Sequence, residues 1–137
     1  MHKVTLLIGL VLFLFSCGDR MVYNVYSIEN KSNESIIISY VEKEQFHIQP
    51  IKNLISVEVA PQSEKVFYIG PSNTLSPTNE TDDYLLSFDT LLIKPKNGRL
   101  RLDFHNIKNW SYKKDWSAFR KCKTFFKLQI GNKDIAK

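Results

Sequence analysis

The chain has 137 residues, of which 43% are hydrophobic and 24% charged, and its formal net charge is +5 at pH 7. These values are typical of one globular domain, and they exclude a disordered chain, a collagen-like chain and a protein with several membrane spans. The two cysteines, Cys17 and Cys122, are too few for a disulfide-dense scaffold.

Residues 1–16 have the pattern of a signal peptide. His2 and Lys3 precede twelve uncharged residues, 4–15. A helix that crosses a bilayer needs about 20 apolar residues, so this run is too short for a permanent span and has the length of a signal-peptide core.

The apolar run ends in Leu14-Phe15-Ser16-Cys17, which resembles a bacterial lipobox. The resemblance implies that the signal peptidase recognises Leu14, Phe15 and Ser16, and that Cys17 is acylated and becomes the mature N-terminus. Residues 17–22 are then a lipidated N-terminus with a short tether, and the acyl chains bind the protein to a membrane. The alternative is an ordinary signal peptide in which the cysteine occurs by chance.

From residue 22 onwards the apolar residues mostly alternate and are rich in β-branched and aromatic types, which predicts strands. Strands are expected at 22–28 and 35–42, joined as a hairpin by the polar turn 30–34. In the second of these strands, the continuous run Ile36-Ile37-Ile38 indicates a central position in a sheet.

Further short strands are expected along the middle of the chain. Residues 46–51 are predicted to be extended, 54–59 to place Ile55, Val57 and Val59 on one face, and 66–69 to form another strand. The polar connection 70–83 is predicted to be a mobile surface loop.

The last part of the chain predicts a second hairpin and a closing strand. Residues 84–94 and 99–104 flank an Asn-Gly turn signal, 106–123 are expected to be irregular or a short helix, and 124–130 to form the final strand. About seven short strands with regular turn signals predict an all-β domain over 23–137, a two-sheet antiparallel β-sandwich.

Three stretches resemble the small, uncharacterised lipoproteins of Bacteroidota: Tyr23-x-Val25-Tyr26-x-Ile28-x-Asn30-x-Ser32, Ala60-Pro61-Gln62-Ser63-Glu64 and Phe125-Phe126-Lys127-Leu128-Gln129-Ile130. The resemblance implies an immunoglobulin-like sandwich in the cell envelope and brings no catalytic residues. Surface display in such proteins follows an acidic run after the cysteine. Here Asp19 is followed by Arg20, which favours the periplasmic face of the outer membrane.

The same resemblance raises one possible modification. Asp89-Thr90-Leu91 matches the short O-glycosylation motif of these bacteria. The tripeptide is common by chance and lies inside a predicted strand, so Thr90 is either a modified residue or a plain strand residue.

No motif for catalysis, phosphate binding or zinc binding occurs in the sequence, so we expect neither an enzyme nor a cofactor. Beyond residue 16 the only histidines are His47 and His105, which are expected to be ordinary strand residues rather than metal or acid–base groups. Cys122 is either a buried thiol or, through its basic neighbours, a reactive one.

Charge is distributed unevenly along the chain. Residues 17–93 hold 5 basic and 11 acidic side chains, whereas 94–137 hold 13 basic and 3 acidic ones. Such asymmetry predicts either contact with anionic material or pairing of the two halves within the fold.

The main candidate for binding is the segment 110–116, which contains Trp110, Tyr112, Lys113, Lys114 and Trp116. Aromatic rings stack on sugars and lysines attract anionic groups, but large aromatic side chains more often fill a core. The expected function is that of a non-catalytic accessory or binding module with an envelope protein partner. The alternatives are recognition of glycans or anionic lipid head groups, and inhibition of an envelope-directed enzyme or toxin. Nucleic acid is not expected as a partner, and the oligomeric state is left open.

Overall fold

The alternating apolar residues form nine strands in the part of the chain that the computed structural model describes, residues 21–43, 53–72, 87–118 and 121–137. In chain order they are β1 (Met21–Lys31), β2 (Ile36–Glu42), β3 (Ile55–Val59), β4 (Ser63–Pro71), β5 (Phe88–Pro95), β6 (Arg99–Leu100), β7 (Trp110–Ala118), β8 (Lys121–Gly131) and β9 (Ile135–Ala136). Two single-turn 3₁₀ helices, Ile107–Asn109 and Asn132–Asp134, precede β7 and β9.

The larger sheet, sheet A, has the strand order β4-β1-β8-β7. Its two central strands, β1 and β8, run parallel in a register that begins at Met21 opposite Lys121. The outer pairs, β4 with β1 and β7 with β8, are antiparallel. The expectation of antiparallel sheets is therefore correct except for the central pair. Parallel strands need a long crossover, and here every strand from β2 to β7 lies between the two partners in sequence.

The smaller sheet, sheet B, has the order β3-β2-β5 and is antiparallel throughout. Ile36 and Ile38 are fully buried in its central strand, which confirms the position predicted from the isoleucine run. A separate pair of short strands, β6 and β9, joins Arg99 and Leu100 to the C-terminal segment.

Both predicted hairpins are wrong. β1 and β2 belong to different sheets, and β4 returns to lie beside β1 while β2 pairs with β3; this is the connection of a Greek key, here folded over two sheets. The segment after the Asn-Gly turn is strand only at β6 and pairs with β9 instead of β5. Gly98 adopts a φ of 86° at this turn, a conformation that suits glycine.

A cluster of aromatic rings from both sheets fills the core. Tyr26 is at its centre: it is fully buried, stacks on Phe126 at a ring-centroid distance of 5.0 Å and meets the edge of Phe88 at the same distance. The hydroxyl of Tyr40 donates a hydrogen bond to the carbonyl of Phe67 at 3.0 Å. Such ring pairs stabilise a core beyond the area that they bury.

A β-bulge brings two adjacent rings of β4 into this core. The register with β1 shifts between Tyr26 and Ser27, so that Phe67 and Tyr68 are both buried although they are neighbours in the chain. One extra residue in a strand changes which side the following side chains occupy. Close by, the Tyr68 ring occupies the space that a side chain at Gly70 would need.

Asn30 anchors the crossing from sheet A to sheet B. Its Nδ2 lies 2.8 Å, 3.2 Å and 3.0 Å from the carbonyl oxygens of Glu34, Val59 and Ala60, and its Oδ1 accepts a hydrogen bond from the Ser32 amide at 3.0 Å. The side chain is fully buried. It therefore satisfies backbone groups that would otherwise be buried without partners.

Several other predicted elements have different boundaries in the structure. Residues 106–123 were expected to be irregular or helical, yet most of them form β7 and the start of β8. β1 begins at Met21, inside the stretch 17–22 assigned to the tether, and Gly70 and Pro71 belong to β4 instead of a loop. The predicted extended segment 46–51 and most of the predicted loop 70–83 lie outside the described residues.

No helix among the described residues is long and apolar enough to cross a membrane.

Candidate functional site

The segment predicted to bind, 110–116, lies in β7, which is one edge of sheet A. Its residues alternate between the side facing sheet B and the opposite side, which we call the outer face. Trp110 and Tyr112 pair with Leu128 and Phe126 of β8, two residues that belong to the buried core. The candidate residues are therefore divided between two faces of the sheet.

Trp110 is a core residue. Its side chain is 5% exposed, its ring meets Tyr26 edge-on at a centroid distance of 6.1 Å, and its Nε1 donates a hydrogen bond to the Phe104 carbonyl at 2.8 Å. A buried indole usually has such a partner. Trp110 therefore packs the core, and the structure does not bring it to a binding surface.

Tyr112 and Lys114 remain accessible on the same side of β7. Tyr112 is 42% exposed, with its ring 6.5 Å from that of Phe126. The Nζ of Lys114 lies 5.7 Å from the centre of the Tyr112 ring, which is within the range of a cation–π contact. The side chain of Trp116, the fifth candidate, lies outside the described residues.

Lys113 belongs to the outer face, where sheet A carries exposed apolar side chains that were not predicted from the sequence. Val66, Ile69 and Phe125 are 47%, 62% and 36% exposed. The registers of β4, β1, β8 and β7 place Ile69, Val25, Phe125 and Lys113 in one row across the sheet. The signal was present in the sequence, since apolar residues occupy both alternating sets of positions in β1, β4 and β8.

A shallow groove of about 550 Å³ crosses this outer face. Apolar and charged side chains line it together, among them Val25, Val66, Phe125, Lys113, Asp115 and Lys127. A concave surface of mixed polarity can hold an apolar group next to a charged one.

An ion pair on this face joins the acidic and the basic parts of the chain. Lys127 of β8 contacts Glu64 of β4 at 2.8 Å, and the Glu64 carboxylate raises the pKa of Lys127. Lys31, with help from Gln129, lowers the pKa of Glu29. On sheet B, Lys96, which follows β5, contacts Glu58 of β3 at 3.7 Å. Part of the charge asymmetry is therefore compensated within the fold.

Other lysines are not compensated in this way. Lys113 and Lys123, both exposed, have no ion-pair partner among the described residues. Lys113 lies in the middle of β7 opposite Phe125, whereas Lys123 lies nearer the β7–β8 end and pairs in register with Asp115. Lys113 is thus accessible to an external anion, and Lys123 has a carboxylate opposite it.

A second concavity, of about 630 Å³, lies at the opposite end of the sandwich, where the β1–β2 and β5–β6 turns meet the C-terminal segment. Its polar groups hold these turns together. The Asn33 amide donates to Asn132 Oδ1 at 2.9 Å, and Asn97 donates to the Glu34 carboxylate at 3.0 Å. The arrangement accounts for the turns without a ligand.

The other residues considered for reactivity, metal binding or modification are Cys122, the two histidines and Thr90. Cys122 is buried and forms no disulfide. Asp103 accepts a hydrogen bond from the backbone of exposed His105 at 3.0 Å, while His47 lies outside the described residues. Thr90 is exposed on the edge strand β5. Within the described ranges no cluster of three or more His, Cys, Asp or Glu residues could hold a metal ion.

The proposed lipidation residues, Leu14, Phe15, Ser16 and Cys17, also lie outside the described part of the chain. Comparison with protein-family models, with curated proteins and with solved structures found no match to this sequence.

Proposed function

We propose that the chain is a membrane-anchored lipoprotein whose β-domain is a non-catalytic accessory or binding module of the bacterial cell envelope. The observation that carries this proposal is the short distance in sequence between the lipobox and the fold. β1 begins at Met21, only four residues after Cys17. Acylation of Cys17 would hold the whole domain directly at a membrane surface.

The energetics of acyl anchoring support a stable attachment. Each buried methylene contributes about 0.8 kcal/mol, and one acyl chain alone gives only reversible binding. A lipobox cysteine that carries two or three chains exceeds this limit. The periplasmic face of the outer membrane is the proposed location, since only Asp19 provides negative charge directly after Cys17.

An immunoglobulin-like sandwich is the fold proposed for the module. Seven of the strands form two principal sheets of four and three strands, and β4 returns beside β1 as in a Greek key. Both features are common in sandwiches of this class. The loops and faces of such a scaffold bind partners in many proteins without any catalytic group.

Metabolic labelling with a clickable palmitate analogue tests the anchor. We expect label in the wild-type protein and in Cys122→Ala, and none in Cys17→Ala. Cys122 is the matched control because it is the only other cysteine and is buried. Absence of label from the wild-type protein would refute the lipoprotein proposal, and retention of label in Cys17→Ala would assign the acylation to another residue.

A second candidate function is recognition of an anionic group by Tyr112, Lys113 and Lys114. The exposed Tyr112 ring and the Lys114 ammonium beside it support this candidate. The burial of Trp110 removes one of the rings on which a sugar could stack, so an anionic ligand is favoured over a neutral glycan.

A further inference from the structure

The outer face of sheet A carries a continuous apolar patch. Ile69, Val25 and Phe125 lie side by side on β4, β1 and β8. Ile69 and Phe125 are exposed, and Val25 between them is buried. Val66, which is also exposed, extends the patch into the next row of the sheet. Neighbouring apolar side chains on an exposed face often mark a contact surface, so this face is a candidate interface.

The charged residues around this patch balance one another. Lys113 and Lys127 line the groove of the outer face together with Glu64 and Asp115, so each sign of charge is equally represented. An anionic membrane or a polyanion attracts a surface with an excess of positive charge. A face that packs on a copy of itself must instead carry both signs, because a single sign would repel its own copy. The charge balance therefore favours a second copy of this chain as the occupant.

The position of the proposed anchor selects one arrangement of the two copies. β1 begins only four residues after Cys17, so in two acylated copies both β1 strands start close to the same membrane. A two-fold axis parallel to the strands keeps the strand directions of the two copies alike. An axis perpendicular to the strands would reverse one copy and move its anchor to the far end. Packed sheets in sandwiches likewise keep their strand directions within about 30° of each other.

We propose that the outer face of sheet A is a dimer interface, on which a second membrane-anchored copy of the chain packs about a two-fold axis parallel to the strands. This inference rests on the proposed lipid anchor and adds a partner to it. With the axis between β1 and β8, Phe125 of each copy lies over Val25 of the other, and Ile69 lies over Lys113. The aliphatic part of Lys113 packs on the isoleucine while its ammonium group reaches water at the edge of the interface.

The size of the face explains why the dimer needs the membrane. Four strands spaced about 4.8 Å apart span about 19 Å, and the outer residues from Tyr23 to Glu29 extend over about 20 Å. This face of about 400 Å² is smaller than the roughly 800 Å² that each partner buries in a stable complex. Acyl chains confine the copies to one surface and raise their local concentration, as a linker between two binding modules does. The dimer is therefore expected on the membrane rather than in dilute solution.

Cross-linking between two differently tagged copies tests this arrangement. One copy carries Ile69→Cys and the other Lys113→Cys, both with Cys122→Ala, and the acylated proteins are inserted together into phosphatidylcholine vesicles at low surface density. A bismaleimide with a spacer of about 10 Å, the distance between packed sheets, is then added. We expect a cross-linked product that carries both tags.

The matched control uses the outer face of sheet B. Leu92→Cys and Lys94→Cys replace exposed residues of β5, and they are tagged, inserted and treated in the same way. Cys17 is present in every mixture and gives the same background. We expect the pair on sheet A to cross-link about tenfold more than this control, a difference that corresponds to about 1.4 kcal/mol.

A third mixture tests the direction of the axis. An axis perpendicular to the strands would exchange the rows of Ile69 and Val66, so copies with Ile69→Cys and Val66→Cys would then cross-link in preference to Ile69→Cys with Lys113→Cys. That result would overturn the proposed arrangement. Equal yields on sheet A and sheet B would show random encounters in the membrane and would also overturn it. Either failure leaves the palmitate label on Cys17 intact, whereas loss of that label would refute the anchor, so the two failures are distinguishable.

Two charge-matched variants sharpen the test. Phe125→Glu in both copies is expected to reduce the cross-link between positions 69 and 113 by about tenfold, because it places a carboxylate against the apolar Val25 of the other copy. Leu92→Glu makes the same change of charge on sheet B and should leave the yield unchanged. Both replaced side chains are exposed, and circular dichroism checks that both variants fold. Equal loss in the two variants would show that net charge, rather than the outer face of sheet A, controls the association, and would overturn the proposal.

Discussion

The two faces of sheet A are built from similar residues and have different surroundings. On the inner face Tyr26 and Phe126 stack on each other beneath sheet B and are almost completely buried. On the outer face, Phe125 precedes Phe126 in the chain and Val25 precedes Tyr26. These two outer residues lie in one row with Ile69. Ile69 and Phe125 in that row are exposed.

The difference shows that apolar residues in a strand do not all contribute equally to the fold. A side chain stabilises the domain in proportion to the apolar area that it removes from water. The inner residues lose nearly all of theirs, whereas Ile69 retains 62% of its exposure. We infer that the outer face contributes less to folding and that its apolar groups are available for contacts outside the domain.

The largest expected effect compares two adjacent phenylalanines. Phe126→Ala removes a ring that stacks on Tyr26 and should lower the free energy of unfolding by about 3–5 kcal/mol, as for other buried aromatic side chains. Phe125→Ala, which removes the same atoms from the outer face, should cost about 1–2 kcal/mol, because that ring is 36% exposed. Urea unfolding of both variants measures the difference.

Equal losses in the two variants would show that the outer face is as important for folding as the core. If Phe126→Ala does not fold, the milder pair Phe126→Leu and Phe125→Leu retains the comparison, because both replacements keep most of the apolar volume.

The division between the two faces was predictable in part. In the predicted strands 22–28 and 124–130, alternation puts Tyr26 on one face with Ile28 and Phe126 on one face with Leu128, and the structure buries all four. Alternation does not hold in β4, where the neighbouring residues Phe67 and Tyr68 are both buried. A bulge adds one residue to a strand without leaving a signature in the apolar pattern.

Strand pairing could not be predicted from local patterns. The parallel contact between β1 and β8 joins residues that are about 100 positions apart, such as Ile28 and Leu128. The pairing is stabilised by tertiary packing. No turn joins the two strands directly, so no turn sequence could indicate their register. For the same reason, the sequence could not predict that Trp110 is buried while Tyr112, two residues later on the same face, is exposed. The difference depends on which parts of the fold pack over each position of β7.

A smaller effect is expected from two buried phenols of the core, Tyr40 of sheet B and Tyr68 of sheet A. Burial, and to a lesser extent the Glu42 carboxylate, raises the pKa of Tyr40 and of Tyr68. The unfolded chain loses these protons near pH 10 while the folded chain retains them. Stability is therefore complete below about pH 10 and falls as the pH rises towards the folded values, with a slope of up to about 1.4 kcal/mol per pH unit for each tyrosine.

Urea midpoints measured from about pH 8 to about pH 11 test this expectation. Tyr40→Phe should reduce the alkaline slope, although it also loses the hydrogen bond to the Phe67 carbonyl and about 1 kcal/mol at neutral pH. Tyr112→Phe, which removes a phenol exposed by 42%, is the matched control. An unchanged slope in Tyr40→Phe would contradict a burial-raised pKa at this position.

The smallest effect is expected from the ion pair of the outer face. Lys127 and Glu64 are in contact at 2.8 Å, but their side chains keep 35% and 43% of their exposure. Pairs of this kind contribute about 0.2–1 kcal/mol. A double-mutant cycle with Lys127→Met and Glu64→Gln should give a coupling energy in that range, and the coupling should decrease in high salt because water and ions screen exposed charges. A coupling above about 2 kcal/mol would exceed the range of exposed pairs. It would mean that the outer face is excluded from water in solution, as it would be if another molecule or a second copy of the chain covered the groove.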